Sequence, residues 1–262
     1  MPIITLTTDW NQHDYYVGAI KGSILSLCPD ATIIDISHAV QPFNIVQAAF
    51  VLRNAFPSFP PDTIHLIGVQ STLGRDGNHL LVKAQNQFFI GSDNGVFGAL
   101  LNDEPESIYR LRDNSETNSW HTFPEISSFV TAACDLMRGK MPEEIGEKHE
   151  NYKKHTPWRP TIDESVINGG VVYIDSYRNA ITNISEDLFS RIRKGRAFEI
   201  LVQSNHYRIT RINKTYQETT PGELLALFNS AGLLEVAINL GNAADLLNLD
   251  TNSRIRIKFK DK

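Results

Sequence analysis

Several features that settle a protein's class at once are scarce or missing here. The 262 residues hold only two cysteines, Cys28 and Cys134, each inside an apolar helical pattern. That excludes a disulfide framework and predicts buried thiols in a reducing, cytoplasmic setting. No CxxC or HExxH spacing occurs, so no metal site is expected. No apolar run approaches the roughly 18 residues of a membrane span, and no membrane association is expected. The opening Met1–Thr7 has no basic n-region and no small-residue cleavage site, so it is not read as a signal peptide. Basic charge is thin as well: the formal net charge is −5, and the basic stretches Arg191–Arg196 and Arg254–Lys262 are short. A nucleic-acid footprint is therefore absent.

What is present is the composition of a globular enzyme-sized chain, 41% hydrophobic and 21% charged. Up to about residue 150 the apolar pattern alternates between strand and helix periods. Ile3–Thr7, Thr32–Ser37 and Thr63–Val69 read as strands. Tyr15–Leu27, capped by Asp14, and Asn44–Ala55 read as helices. Leu80–Ala84 and Gln87–Gly91 flank Gln85-Asn86 as a hairpin. Asn94-Gly95 is a turn before a short helix, Val96–Leu101, and a last helix spans Glu125–Arg138 with Gly139 behind it. This alternation predicts a three-layer α/β/α domain with a mostly parallel sheet over residues 1–150. A charged, proline-bearing linker is expected over 151–168. From 169 to 262 short strands separated by turns predict a small β-barrel, with helices only near Glu186–Arg193 and Ala243–Leu247.

In an open α/β sheet, ligands bind beyond the carboxyl ends of the strands. Asp9 and Asp14 follow the first strand there, and a carboxylate can accept hydrogen bonds from both hydroxyls of a ribose. On spacing alone they could equally be a turn residue and a helix cap. Phe43 could stack on a base or serve as a core aromatic. Gln70, Arg75, Asp76 and His79 lie in a polar loop after the third strand, and His121 precedes the last helix of the first region. In the second region Asp175 and Asn179 share a turn, Ser230 lies in another, and Ile238-Asn239-Leu240 ends an apolar strand.

Together these segments carry a resemblance. The stretches TTDWNQHDYYVGAIKGSILSLCPDATIIDISHAVQPFNIVQAAFVL, FPPDTIHLIGV, FFIGSDNGVFGALL, GGVVYIDSYRNAITNI and NSAGLLEVAINLGNAADLL follow one another nearly end to end. They resemble the S-adenosylmethionine hydroxide adenosyltransferase family, adenosine-forming hydrolases related to fluorinases and chlorinases. The resemblance implies a homotrimer whose ligand lies between the N-domain of one subunit and the C-domain of the next. It implies an adenosyl compound as substrate or ligand and no separate cofactor. Asp14 falls on the ribose-binding aspartate and Phe43 on an aromatic beside the ligand. Asp175 and Asn179 fall on residues contacting the methionine or adenosine part, Ser230 on the methionine-binding serine, and Ile238–Leu240 on the backbone that reads the adenine edge.

The chain departs from the family where the hydrolases hold their water. Gln70 stands in place of an aspartate, Gly77 or Asn78 in place of an arginine, and Pro124 in place of a histidine. In the adenosine-contacting loop, Arg178 replaces a glycine. Arg75, Asp76, His79 and His121 are close enough in sequence to rebuild the lost trio, with Gln70, Arg75 and His121 the catalytic candidates. The resemblance thus implies cleavage of S-adenosylmethionine to adenosine and methionine. The departures leave open a catalytically impaired adenosyl- or nucleoside-binding homologue, or a structural trimer.

Overall fold

Runs of consecutive apolar residues build the first sheet, because a strand points successive side chains to opposite faces and both faces are buried here. The computed structural model describes residues 3–72, 77–112, 123–156, 158–203 and 206–260. It divides into two units, Met1–Thr156 and Pro157–Lys262. The first begins β1 (Ile3–Thr8), α1 (Tyr16–Leu27), β2 (Thr32–Ser37), α2 (Ile45–Ala55) and β3 (Ile64–Gly68). It continues through β4 (His79–Ala84), β5 (Gln87–Ser92), α3 (Val96–Leu100) and β6 (Ser107–Leu111). It closes with α4 (Val130–Met137), α5 (Pro142–Ile145) and β7 (Gly146–His149).

Strand order is β2-β1-β3-β5-β4-β6-β7. The first four strands run parallel, and β4, β6 and β7 extend them antiparallel, so the sheet is mixed. Leu80, Val82, Phe89 and Ile108 face a core built with α2 and α3. Their neighbours Leu81, Ile90 and Tyr109 face a second core built with α1 and α4. Two apolar faces, each covered by helices, give the expected three layers. The β4–β5 hairpin turns through Gln85 and Asn86 at φ 51 and 60, the paired positive values of a type I′ turn.

Two expectations need correction. Asp14 does not cap α1: Tyr15 takes the N-cap position, and no side chain caps that end. The helix expected over Glu125–Arg138 opens as a π turn, Glu125–Phe129, before α4 becomes regular. Both cysteines are buried and free, with Cys28 Sγ 3.8 Å from the Cys134 carbonyl.

The second unit comprises β8 (Thr161–Asp163), β9 (Val166–Ile174), β10 (Ala180–Ser185), α6 (Glu186–Arg193) and β11 (Phe198–Val202). After them come β12 (Tyr207–Ile209), β13 (Leu224–Phe228), β14 (Leu233–Ile238), α7 (Ala243–Leu246) and β15 (Arg254–Phe259). The order β12-β11-β15-β9-β10-β14-β13 curls into an almost closed antiparallel barrel, with β8 added to β9. A bridge between Asn213 and Leu227 draws its ends together. Ile167, Val171, Ile200, Leu234, Val236 and Ile257 fill the interior. Gly170 must lack a side chain, since a Cβ would sit 1.8 Å from the Trp158 ring. Among the described residues no helix is long and apolar enough to cross a membrane.

Candidate functional site

At the carboxyl edge of the first sheet, one carboxylate organises three loops. Asp9 Oδ2 accepts the backbone N–H of Phe43 at 2.8 Å and of Gln70 at 3.3 Å. Phe43 precedes α2 and Gln70 follows β3, so Asp9 ties both segments to the end of β1. Asn11, Phe43 and Gln70 all hold positive φ, at 61, 67 and 47. Non-glycine residues persist there only when their surroundings over-determine them. Asn94 supplies part of that constraint: its amide donates to the Val69 and Gln70 carbonyls at 2.9 and 3.1 Å.

Phe43 is 72% exposed, which rules out a role in the core. Asp14 is exposed and, among the described residues, makes no hydrogen bond or ion pair. His38 is buried rather than solvated, its Nδ1 2.8 Å from Thr8 Oγ1 and its Nε2 3.1 Å from Asp35. Arg75, Asp76 and His121 lie outside the described residues. His79 Nε2 lies 3.3 Å from the Ser71 carbonyl, and its ring meets Phe129 edge-on at 5.0 Å.

The residue that sequence reasoning missed in this unit is Glu125. It opens the π turn and is only 3% exposed. Burial raises its carboxyl to about 7, and Asp9 adds to the rise, while the Ser71 hydroxyl draws it partly back. Ser71 Oγ is itself buried and, among the described residues, has no hydrogen-bond partner. Two residues before Glu125, Phe123 meets Trp10 edge-on at 5.0 Å and Tyr16 at 5.2 Å, forming an aromatic wall. The available signal was a lone acid one helical turn from Phe129, on its apolar stripe.

In the second unit the turn after β9 closes on itself. Asp175 Oδ1 accepts the Asn179 N–H at 2.8 Å, and Oδ2 accepts the Asn179 amide at 3.2 Å. Arg178 sits between them at φ 64, in the left-handed region that favours the glycine it replaces. Its guanidinium pairs with Asp245, and its carbonyl accepts the Ala244 N–H at 2.8 Å.

A buried glutamate supports the Ser230 turn. Glu235 on β14 is 2% exposed and accepts the Tyr216 hydroxyl at 2.6 Å and the Asn229 amide at 3.1 Å. Burial pushes the Tyr216 hydroxyl pKa up, and Glu235, Asp175 and Tyr177 push it further. Tyr216 therefore lies within electrostatic reach of both turns, which the sequence had only placed side by side as candidates. Ser230 is exposed next to Asn229. Asn239 instead turns inward, its amide donating to the Thr219 carbonyl at 2.6 Å. Leu240 is 89% exposed at φ 50, beside the 8%-exposed Ile238.

Comparison with known proteins covers the whole of this arrangement. The family model for the SAM hydroxide adenosyltransferase N-terminal domain matches residues 4–146, and that for the C-terminal domain matches residues 169–256. The chain is 31% identical to the (R)-S-adenosyl-L-methionine hydrolase of Methanocaldococcus jannaschii, over 99% of this chain and 97% of that one. It is 22% identical to the fluorinase of Actinopolyspora mzabensis, over 98% and 97% of the two chains. A crystal structure of an uncharacterized conserved protein from Thermotoga maritima superimposes with a TM-score of 0.88 at 30% identity, covering 98% of this chain and 99% of that one. With both domains of one family matched in order along it, the chain belongs to the SAM hydroxide adenosyltransferase family.

Proposed function

We propose that this protein cleaves S-adenosylmethionine to adenosine and methionine by attack of water at C5′. The observation that carries this reading is end-to-end similarity to a curated hydrolase of that substrate. The local geometry supports it. Asp14 presents an exposed carboxylate suited to two ribose hydroxyls, and Phe43 an exposed ring suited to stacking. Asp175, Asn179 and Ser230 are the polar groups suited to the methionine part, with Ile238–Leu240 as the adenine edge. Asp9 and Gln70 serve mainly to hold the loops in place.

The leaving group is a neutral thioether departing from a sulfonium, so it needs neither a metal nor an acid. Alignment and partial desolvation of the nucleophile are what the protein must supply. The substrate is also the only small molecule the reaction requires besides water. We further propose a cytoplasmic homotrimer with the ligand at the subunit interface, to be tested by sedimentation equilibrium.

The experiment is incubation of purified protein with each sulfonium epimer of S-adenosylmethionine, since the relatives' names specify the (R) form. Adenosine above the spontaneous background supports hydrolysis. Saturable binding by calorimetry without turnover would favour a binding homologue instead, a reading favoured by Gln70 and Pro124 standing at the water-holding positions.

A further inference from the structure

The water-holding trio expected from the family is absent at Gln70 and Pro124, yet the same sheet edge contains an acid that the family motif does not assign. Glu125 follows Pro124 directly and is buried at 3% exposure. A buried carboxylate without a cation is costly and is retained where it has a use. Among the described residues Glu125 has no ion-pair partner; the Ser71 hydroxyl and its own backbone N–H favour its charged form, and Asp9 opposes it. That hydroxyl is likewise buried and otherwise unpartnered. A buried hydroxyl without a hydrogen-bond partner, beside a buried carboxyl, offers a single water two polar groups. Ser71 follows β3 and Asp9 follows β1, so the pair lies at the strand ends where ligands bind in open α/β sheets. The turn that places Glu125 there is a π turn, a form concentrated at functional sites.

We propose that Glu125 is the catalytic base of this chain, taking the proton of the water that attacks C5′. The inference rests on the hydrolase reading above. The water oxygen bonds to C5′ as the C5′–S bond breaks, and the electron pair of that bond stays on sulfur. The sulfonium thereby becomes the neutral thioether of methionine. One water proton passes to the Glu125 carboxylate, the other remains as the 5′-hydroxyl of adenosine, and Glu125 then returns its proton to solvent. Gln70 can orient a water but cannot take its proton.

The elements packed around the π turn carry Tyr16 and Lys21 on α1, His65 on β3, and Cys134 and Asp135 on α4, while Asp9 at the end of β1 and His79 on β4 lie against it as well. Asp9 acts on the carboxyl in the same sense as burial, so the base works in the neutral range, where general bases are most effective.

The test is steady-state adenosine release across pH by wild type, Glu125→Gln and Glu125→Asp. Wild-type kcat should rise with pH through about 7 and then level off. Glu125→Gln should lower kcat by about 100-fold or more, flatten that rise, and leave KM almost unchanged. Glu125→Asp keeps a carboxylate and should keep a rising limb at reduced rate. It decides the matter on its own if the Gln variant does not fold. A Gln variant with wild-type kcat and pH profile, or an Asp variant with a flat profile, overturns the assignment while leaving hydrolysis intact. A wild type that releases no adenosine overturns both.

Discussion

Glu125 in the first unit and Glu235 in the second are buried almost equally, at 3% and 2% exposure, and are served in opposite ways. Glu235 accepts two side-chain donors, Tyr216 and Asn229, and is used to hold a turn. Burial opposes the ionisation of Glu125, the neighbouring Asp9 adds to that, and one hydroxyl and its own backbone N–H offset only part of it. A satisfied buried carboxylate stabilises a shape, whereas an unsatisfied one keeps its proton chemistry available.

The largest effect expected from breaking that contrast comes from Glu235→Ala. It strands the Tyr216 hydroxyl and the Asn229 amide, each a donor to a charged group, and should cost about 3 kcal/mol in urea unfolding. A cost below about 1 kcal/mol would mean that Glu235 does not hold the turn.

Glu125 should behave in the reverse sense. Its folded value of about 7 lies above the ordinary glutamate value, so its contribution to stability is full at acid pH and is lost as pH rises through 7. Relative to Glu125→Gln, the wild type should lose about 3 kcal/mol between pH 4 and 8. The variant comparison is needed because His65 works the other way. Burial lowers that histidine to about 4, so its stabilisation is present above its unfolded value and lost as pH falls through 4. Wild type alone should therefore show a muted slope, and Glu125→Gln a stability that climbs with pH. Parallel pH curves for the two proteins would break the contrast.

A third expectation concerns recognition. Asp14→Ala should weaken adenosine binding by about 10- to 100-fold in calorimetry, from the loss of charge-assisted hydrogen bonds. The fold should be unaffected, because Asp14 does not cap α1. The smallest effect belongs to Arg178→Gly. It relieves a left-handed residue but gives up an exposed ion pair with Asp245, so the unfolding midpoint should rise only slightly. A marked fall would show that the ion pair outweighs the backbone strain.

The fold was legible wherever one face of an element is buried. The strands ending at Thr8, Ser37 and Gly68 follow from short apolar, β-branched runs, and the Gln85-Asn86 hairpin from turn chemistry. The strands that escaped notice include β6, β7 and β8. The last two are short and carry polar residues facing solvent, as exposed strands do. The π turn was hidden as well, since a π turn and an α-turn share almost the same apolar spacing. Candidate ligand residues could be found only as members of a motif. Nothing in the spacing of Asp9 said that its carboxylate would be occupied by the Phe43 and Gln70 backbone. Glu125 was legible in principle, as a charge on an apolar stripe, but its meaning came from Ser71 and Asp9, both more than fifty residues away in sequence.

The two thiols of the first unit have a practical consequence of their own. Burial and the neighbouring Cys28 push Cys134 up to about 12, so it holds almost no thiolate at neutral pH, and both sulfurs are shielded from reagents. Labelling by a thiol reagent must therefore wait for α1 and α4 to part. The rate of that labelling is a clock for local opening of the core that α1 and α4 cover.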